Sequence, residues 1–341
     1  MTALTSFRAP FVVFLGVIQS AMFAKTAFGL VQWRGEDCLG QVRLPGCTVD
    51  VGIAELDLPA AIAAGARSVV IGSAAVGGGV AASWVPLLCQ AAERGLDIVA
   101  GLHIRLESLP GLKAAAEHGG ARLVDLRVPP TNLPVGTGRK RSGRRVLTVG
   151  TDCACGKKYT ALRLAEDLRA AGVVADFRAT GQTGIMIAGS GIPIDAVVAD
   201  FLTGAAETLS PDAHANHWDV VEGQGGLFHP GYLQVTVGLL VGTQPDAFVV
   251  CHDPRRQHVG GWPDFPLPSL QQVIDRTVAI GSLTNPAIRC VGISLNTSAM
   301  DASERQGHLA RCAAETGLPC IDPLVEGTGP IIQRMLQEFP V

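Results

Sequence analysis

Short Val/Ile-rich runs alternate along this chain with Ala/Leu-rich stretches. Phe11 to Leu15, Ser68 to Gly72, Asp97 to Ala100 and Arg122 to Asp125 read as buried parallel strands, with helical segments such as Pro59 to Ala64 and Val85 to Arg94 between them. A second series starts at Val146, with strands expected at Val146 to Val149, Val173 to Arg178, Asp219 to Glu222, Ala247 to Cys251, Cys290 to Leu295 and a short one near Cys320. This βαβ rhythm predicts an α/β protein with two parallel sheets. The Pro- and Gly-rich stretch Val128 to Gly136 interrupts the rhythm and marks a domain boundary. The expected organisation is an α/β N-terminal domain over residues 1–135, a basic linker over 136–145 and a second α/β domain with a parallel sheet over 146–341. No internal repeat is apparent.

The 341 residues suffice for two domains, and 48% hydrophobic with 17% charged residues excludes a disordered chain. A formal charge of −3 provides no basic field for nucleic acid, so no nucleic-acid partner is expected. Five cations fall within Arg139 to Arg145, a run that reads as a solvated hinge or, less simply, as an attraction for a polyanion. Nine cysteines in an odd, scattered set read as reduced thiols of a cytoplasmic protein. Cys153-x-Cys155 has neither redox nor zinc spacing, and no metal is expected. Arg8 and the apolar run Phe11 to Val17 imitate a secretion signal, but the run is short and a buried first strand fits it equally well. No stretch approaches the roughly 20 apolar residues of a membrane span, so no membrane partner is expected.

The chemistry concentrates after Val146. A strand enters Gly150-Thr151-Asp152-Cys153-Ala154-Cys155-Gly156-Lys157-Lys158-Tyr159-Thr160 and then a helix. Small residues let backbone N–H groups and the helix N-terminus converge on an anion, while Lys adds a positive charge. Five residues separate the first Gly from Gly-Lys rather than four, a spacing that resembles the loop of the dethiobiotin synthetase branch of P-loop proteins. The hydroxyl that usually follows the Lys and holds Mg²⁺ is replaced by Lys158. That favours a ligand whose phosphates are gripped but not cleaved, as in coenzyme A.

Further residues gather at strand ends, where open α/β sheets bind ligands. Arg178 to Gly184, with Gln182, reads as a polar turn able to contact substrate. Glu222 enters the Gly223 to Gly226 turn, whose N–H groups are candidates for stabilising an oxyanion. His229 follows seven residues later, and either it or Glu222 suits proton transfer. Asn296 closes a strand with an amide matched to a purine edge. Arg34, Arg105 and Arg255 are candidate partners for carboxylates, each also readable as a surface ion pair.

Taken together, the segments Gly150 to Lys157, Arg178 to Gly184, Ile192 to Val197, Val221 to Tyr232 and Cys251-His252 resemble the bacterial DUF1611 family. Arg43 to Cys47, Ser83-Trp84 and Gly101 to His103 extend the resemblance over nearly the whole chain. Some members of that family are D-glutamate N-acetyltransferases that use acetyl-coenzyme A and work beside a racemase of N-acetylated amino acids. The resemblance implies an N-terminal Rossmann-like domain followed by a P-loop NTPase-like parallel-sheet domain, and acetyl transfer from acetyl-CoA to the amino group of an acidic amino acid, D-glutamate. It assigns Thr151, Asp152, Cys153, Ala154, Cys155, Gly156 and Lys157 to the coenzyme's phosphates. Lys158 departs from the family pattern, as does Cys155. Glu222 and His229 become site residues with the proton-moving member left open. A covalent route through Cys153, if a helix N-terminus lowers its pKa, stays open. So do an ATP- and Mg-dependent ligase or kinase and a non-catalytic regulator. The expected partners are the two small molecules and further copies of the chain.

Overall fold

The computed structural model describes residues 7–73 and 79–340. Its contacts divide the chain into two units, Met1–Pro130 with Gln182–Pro193, and Thr131–Gly181 with Ile194–Val341.

In the first unit, β1 (Phe11–Gly16) is wholly buried, as its unbroken apolar run requires. It is followed by α1 (Lys25–Trp33), β2 (Cys38–Arg43), α2 (Leu58–Ala63), β3 (Ser68–Ile71), α3 (Val85–Glu93), β4 (Asp97–Ala100), α4 (Leu112–Gly119) and β5 (Leu123–Asp125). The strands form one parallel sheet in the order β2-β1-β3-β4-β5. Asp57 starts α2 by accepting from Ala60 N at 2.8 Å, with Pro59 in the first turn. Strand β2 was not expected, because its sequence is half polar. Gln41 nevertheless lies buried within it, its side chain bonded to Asp50 Oδ1, Ile53 O and Val51 N at 2.8–3.1 Å. Those bonds replace the water that an alternating pattern would have offered.

The second unit is built from β6 (Arg144–Gly150), α5 (Lys157–Ala170) and β7 (Ala175–Arg178). After Gly181 the chain departs to form α6 (Gln182–Ala188), which belongs to the first unit. It resumes with α7 (Ala199–Leu209), β8 (Trp218–Val221), α8 (Leu233–Thr243), β9 (Ala247–His252) and the antiparallel pair β10 (His258–Val259) and β11 (Trp262–Pro266). Then come α9 (Leu270–Gly281), β12 (Arg289–Leu295), α10 (Ala302–Thr316), β13 (Cys320–Ile321) and α11 (Gly329–Glu338). The main sheet is parallel, ordered β13-β12-β9-β6-β8-β7, with β6 central. Its core gathers Val146, Leu164, Leu168, Trp218, Val249 and Met335. The polar turn expected at Gln182 is instead the start of a helix whose Gly184, Ile185 and Met186 are buried. Apolar residues at positions 185 to 187 outweigh the local turn chemistry.

The basic run is no solvated hinge. Arg141 and Arg145 are buried, and Arg145 donates to Arg141 O, Ser142 O and Pro211 O at 2.9–3.1 Å. Arg141 holds Ser210 O at 2.6 Å and Gly242 O at 2.8 Å. Burial, with the Arg145 charge next in weight, brings the Arg141 pKa down to about 10, which leaves it protonated at neutral pH. The guanidinium groups collect carbonyls that no regular element satisfies. No helix among the described residues is long and apolar enough to cross a membrane.

Candidate active site

The carboxyl ends of β6, β8, β9 and β12 converge on one edge of the second sheet. β6 delivers the loop Thr151 to Gly156, and α5 begins at Lys157 with Gly156 as its N-cap at φ 107°. Ala154 also has positive φ, 52°. This alternation turns successive N–H groups toward one point, an anion-receiving nest ahead of a helix N-terminus. Lys157 is buried, and its Nζ donates to Asp152 O at 2.7 Å and Gly225 O at 2.8 Å. Cys155 is buried beneath the loop with Sγ 3.0 Å from Asp152 O. Thr151 Oγ1 meets His252 Nδ1 at 3.0 Å.

Asp152 does not extend its carboxylate outward. It is wholly buried, with Oδ1 accepting from Cys153 N at 2.6 Å and Oδ2 accepting from Arg256 Nη1 at 2.8 Å and Gly260 N at 2.9 Å. Its side chain therefore serves the loop's own architecture. Burial raises the Cys153 thiol pKa, with Lys157 opposing and Asp152 adding to the rise. Cys153 also lies four residues before α5 starts. The premise of a lowered pKa at a helix N-terminus fails on both counts.

Glu222 follows β8. Its Oε2 accepts from Thr180 N and Gly181 N, both at 3.0 Å, and an ideal Cβ at Gly181 would lie 3.4 Å from Oε1. Burial pushes the Glu222 carboxyl pKa up against the pull of those two N–H groups and of Lys158, while Asp195 adds to the rise. The next turn is rich in glycine for close approach. A Cβ on Gly223 would stand 1.6 Å from Thr148 O, and Gly223 N donates to Thr148 Oγ1 at 2.9 Å. That N–H is spent, so it cannot serve an oxyanion as expected.

His229 is buried between aromatic rings, 4.6 Å from Tyr232 and 4.5 Å from Trp262 between centroids. Burial lowers its pKa, Asp152 opposing and Lys157 assisting, which leaves it neutral at physiological pH. Its Nδ1 accepts from Gly231 N at 3.1 Å, so the neutral ring carries its proton on Nε2, 3.9 Å from Asp152 Oδ1. A ring so arranged donates at Nε2 rather than accepting there.

Asn296 lies beside the loop: its Cβ is 4.0 Å from where a Cβ on Gly156 would be, and its N donates to His252 O at 2.8 Å. Arg255 is half exposed and forked onto Asp253 at 3.1–3.2 Å. The neighbouring Arg256 grips the phosphate loop directly. Its contact to position 152 spans 104 residues and leaves no local sequence signal.

The structure thus brings together 151–157, Glu222, His229, Arg256 and Asn296. Lys158 and Arg255 also belong to the second unit, whereas Arg34, Arg105 and Gln182 lie in the first. Arg34 is committed to Asp37, to Met186 O at 2.9 Å and to the rings of Phe7 and Phe11. Gln182 Oε1 accepts from Arg127 Nε at 2.9 Å against Gly101. Arg105 is exposed.

Among the described residues, two groups of side chains have the proximity of cation ligands. In Asp152, Cys153 and His229, the carboxylate is already saturated by Arg256 and backbone N–H groups. In Asp176, His217 and Asp219, at the amino ends of β7 and β8, Arg178 bonds both carboxylates, at 3.2 and 2.6 Å. In both groups a carboxylate is already paired with an arginine, Asp152 with Arg256 and Asp219 with Arg178.

The chain matches known proteins over most of its length. Residues 134–332 match the P-loop domain of DUF1611, a domain of unknown function, and residues 42–129 match its Rossmann-like N-terminal domain. This chain belongs to the DUF1611 family. Two relatives named D-glutamate N-acetyltransferase align with it over 328 residues. The one from Tritonibacter scottomollicae is 44% identical, covering 96% of this chain and 98% of the relative. That from a Pseudoalteromonas species is 42% identical, covering 96% and 99%. A crystal structure of a DUF1611 family protein from Anabaena variabilis superposes with a TM-score of 0.86 at 32% identity, covering 96% of this chain and 99% of that one. The DUF1611 pairing of a Rossmann-like with a P-loop domain agrees with the two parallel sheets described above.

Proposed function

We propose that this DUF1611 protein is an amino-acid N-acetyltransferase that moves the acetyl group of acetyl-CoA to the amino group of D-glutamate. The full-length similarity to two proteins of that name supports the reaction class. The observation that carries the donor is the phosphate loop with Lys158 where a metal-holding hydroxyl would stand. Thr160, the next aliphatic hydroxyl along the chain, is turned inward, donating to Gly156 O at 3.1 Å and pairing with Ser294 Oγ at 2.8 Å. The residues present do not fit Mg²⁺ there, and no step through a metal or a phosphoryl group is derived.

Lys157 and the N–H groups of Ala154 to Lys157 would hold the pyrophosphate, with Lys158 adding charge and Asn296 meeting the adenine. Bound acetyl-CoA supplies an acyl carbon already activated as a thioester. For the acceptor, an ammonium must lose a proton before its nitrogen can attack. Glu222 is the base: its carboxyl is desolvated and therefore more basic than usual, whereas the His229 lone pair is taken by Gly231. Glu222 takes the ammonium proton and releases it to solvent; as the C–N bond forms and the C–S bond breaks, the remaining amine proton passes to Glu222 and from it to the departing thiolate, which leaves as the free thiol of coenzyme A. His229 Nε2–H is left as a donor for charge developing on oxygen. Arg255 is the proposed partner of a substrate carboxylate, while Arg34 and Gln182 are bonded within the first unit.

The test is direct. Purified protein with acetyl-CoA, D-glutamate and EDTA should release free thiol and N-acetylglutamate in equal amounts, without ATP. Turnover that requires ATP and Mg²⁺ and yields phosphate would overturn the proposal.

A further inference from the structure

The phosphate loop has an unusual external brace. Arg256 reaches it from the segment after β9, donating from Nη1 to Asp152 Oδ2 and to Cys153 O, both at 2.8 Å, and from Nη2 to Ala154 O at 3.1 Å. Asp152 Oδ2 in turn accepts from Gly260 N, which joins β10 to β11. A peptide unit's carbonyl and the N–H of the following residue point in opposite directions. Holding the carbonyls of Cys153 and Ala154 outward therefore sends the N–H groups of Ala154 and Cys155 inward. Ala154 would not adopt this form unaided, because its φ of 52° is a left-handed conformation that a Cβ disfavours.

We propose that Arg256 is a positioning residue that imposes the anion-receiving form on the phosphate loop by gripping two successive carbonyls, and thereby sets the affinity for the coenzyme's pyrophosphate. It touches the loop's back and not the reacting atoms. The planar fork of a guanidinium is what allows one side chain to serve a carboxylate and two carbonyls together. A lysine at 256 keeps the charge beside buried Asp152 but cannot make all three contacts. The inference rests on the proposed coenzyme, and its test separates the two.

Equilibrium binding of coenzyme A, and separately of inorganic pyrophosphate, is measured for the full-length protein, R256K, A154G and the double variant, with thermal melts of each. R256K should raise the dissociation constants for both ligands about tenfold. In turnover it should raise the KM for acetyl-CoA to a similar extent while kcat falls less than threefold. Glycine at 154 adopts positive φ without cost, so A154G/R256K should recover about fivefold of the lost affinity. A154G alone should bind more tightly than the parent. R256K binding as the parent does, a double variant no better than R256K, or A154G binding more weakly would each overturn the positioning role. The A154G arm still decides if R256K fails to fold. A parent protein that binds pyrophosphate but not coenzyme A would overturn the proposed donor and leave the loop's test standing. Binding of neither would overturn both.

Discussion

Replacing Gly223 by Ala adds one methyl group at the point where the turn after β8 crosses β6. The new Cβ would lie 1.6 Å from Thr148 O and 3.2 Å from Lys157 Cδ. Ordinary contact begins at 3.4 Å, so the turn must retreat by about 1.8 Å. The nearest obstacle is backbone within a central strand, which cannot swing aside. The retreat also breaks the bond from Gly223 N to Thr148 Oγ1. Overpacking costs about 1–3 kcal/mol and the lost hydrogen bond about 1 kcal/mol, giving roughly 2–4 kcal/mol. For a domain of this size each kcal/mol lowers Tm by about 2–4 °C. Function should suffer more than stability, because Glu222 is the adjacent residue and Lys157 loses its anchor at Gly225 O. A displacement of about 1 Å costs on the order of 100-fold in rate. Thermal melts and initial rates of thiol release at saturating substrates check both expectations. A G223A protein with unchanged Tm and turnover within threefold of the parent would refute the packing argument and the catalytic placement of Glu222 together.

Four other outcomes follow from the same geometry. E222Q should lower kcat by about 10²- to 10⁴-fold. At pH 8 its Tm should not fall, since a carboxylate whose folded pKa is raised opposes folding once ionised; a lower Tm with retained activity would contradict this. In the parent, kcat/KM should decline as pH drops through the raised Glu222 pKa, so the acid limb should lie above the usual carboxylate range and vanish in E222Q. Cys153→Ser should keep nearly full turnover, because burial holds that thiol protonated; loss of a trapped acetyl adduct along with activity would restore the covalent route. Arg145→Met should destabilise the fold by roughly 3 kcal/mol or more through its orphaned carbonyls, measured by denaturant melts, whereas Arg255→Ala should change stability by less than about 0.5 kcal/mol.

The parts of this molecule legible in the sequence are those where one physical requirement dominates. Buried parallel strands must be apolar throughout, and so β1, β4, β6, β9 and β12 appear as unbroken runs whose observed limits differ by only a residue or two. The phosphate loop is legible because a strand, small residues, Lys and a helix must follow one another along the chain. Strand β2 is hidden because Gln41 is satisfied by Asp50, Val51 and Ile53, partners that only the folded chain supplies. Helix α6 is hidden because Gln182 and Thr183 read as turn residues until Ile185 and Met186 find a core. Arg141 and Arg145 share the composition of a solvated linker, yet Ser210, Pro211 and Gly242 turn them into buried anchors. Glu222 and His229 were legible as candidates but not as roles. The distinction between them depends on two N–H groups from Thr180 and Gly181 and on one from Gly231. The grip of Arg256 on the loop was illegible for the same reason: its three acceptors lie 102 to 104 residues earlier in the chain.

The central claim, that the loop from Cys153 to Lys157 receives the pyrophosphate of an acyl carrier, is tested most directly by a crystal structure of the protein with coenzyme A. The account expects the two phosphates against the N–H groups of Ala154 to Lys157, with Lys157 Nζ and the start of α5 in contact. Coenzyme A ordered at another place, with this loop holding only water, would contradict it.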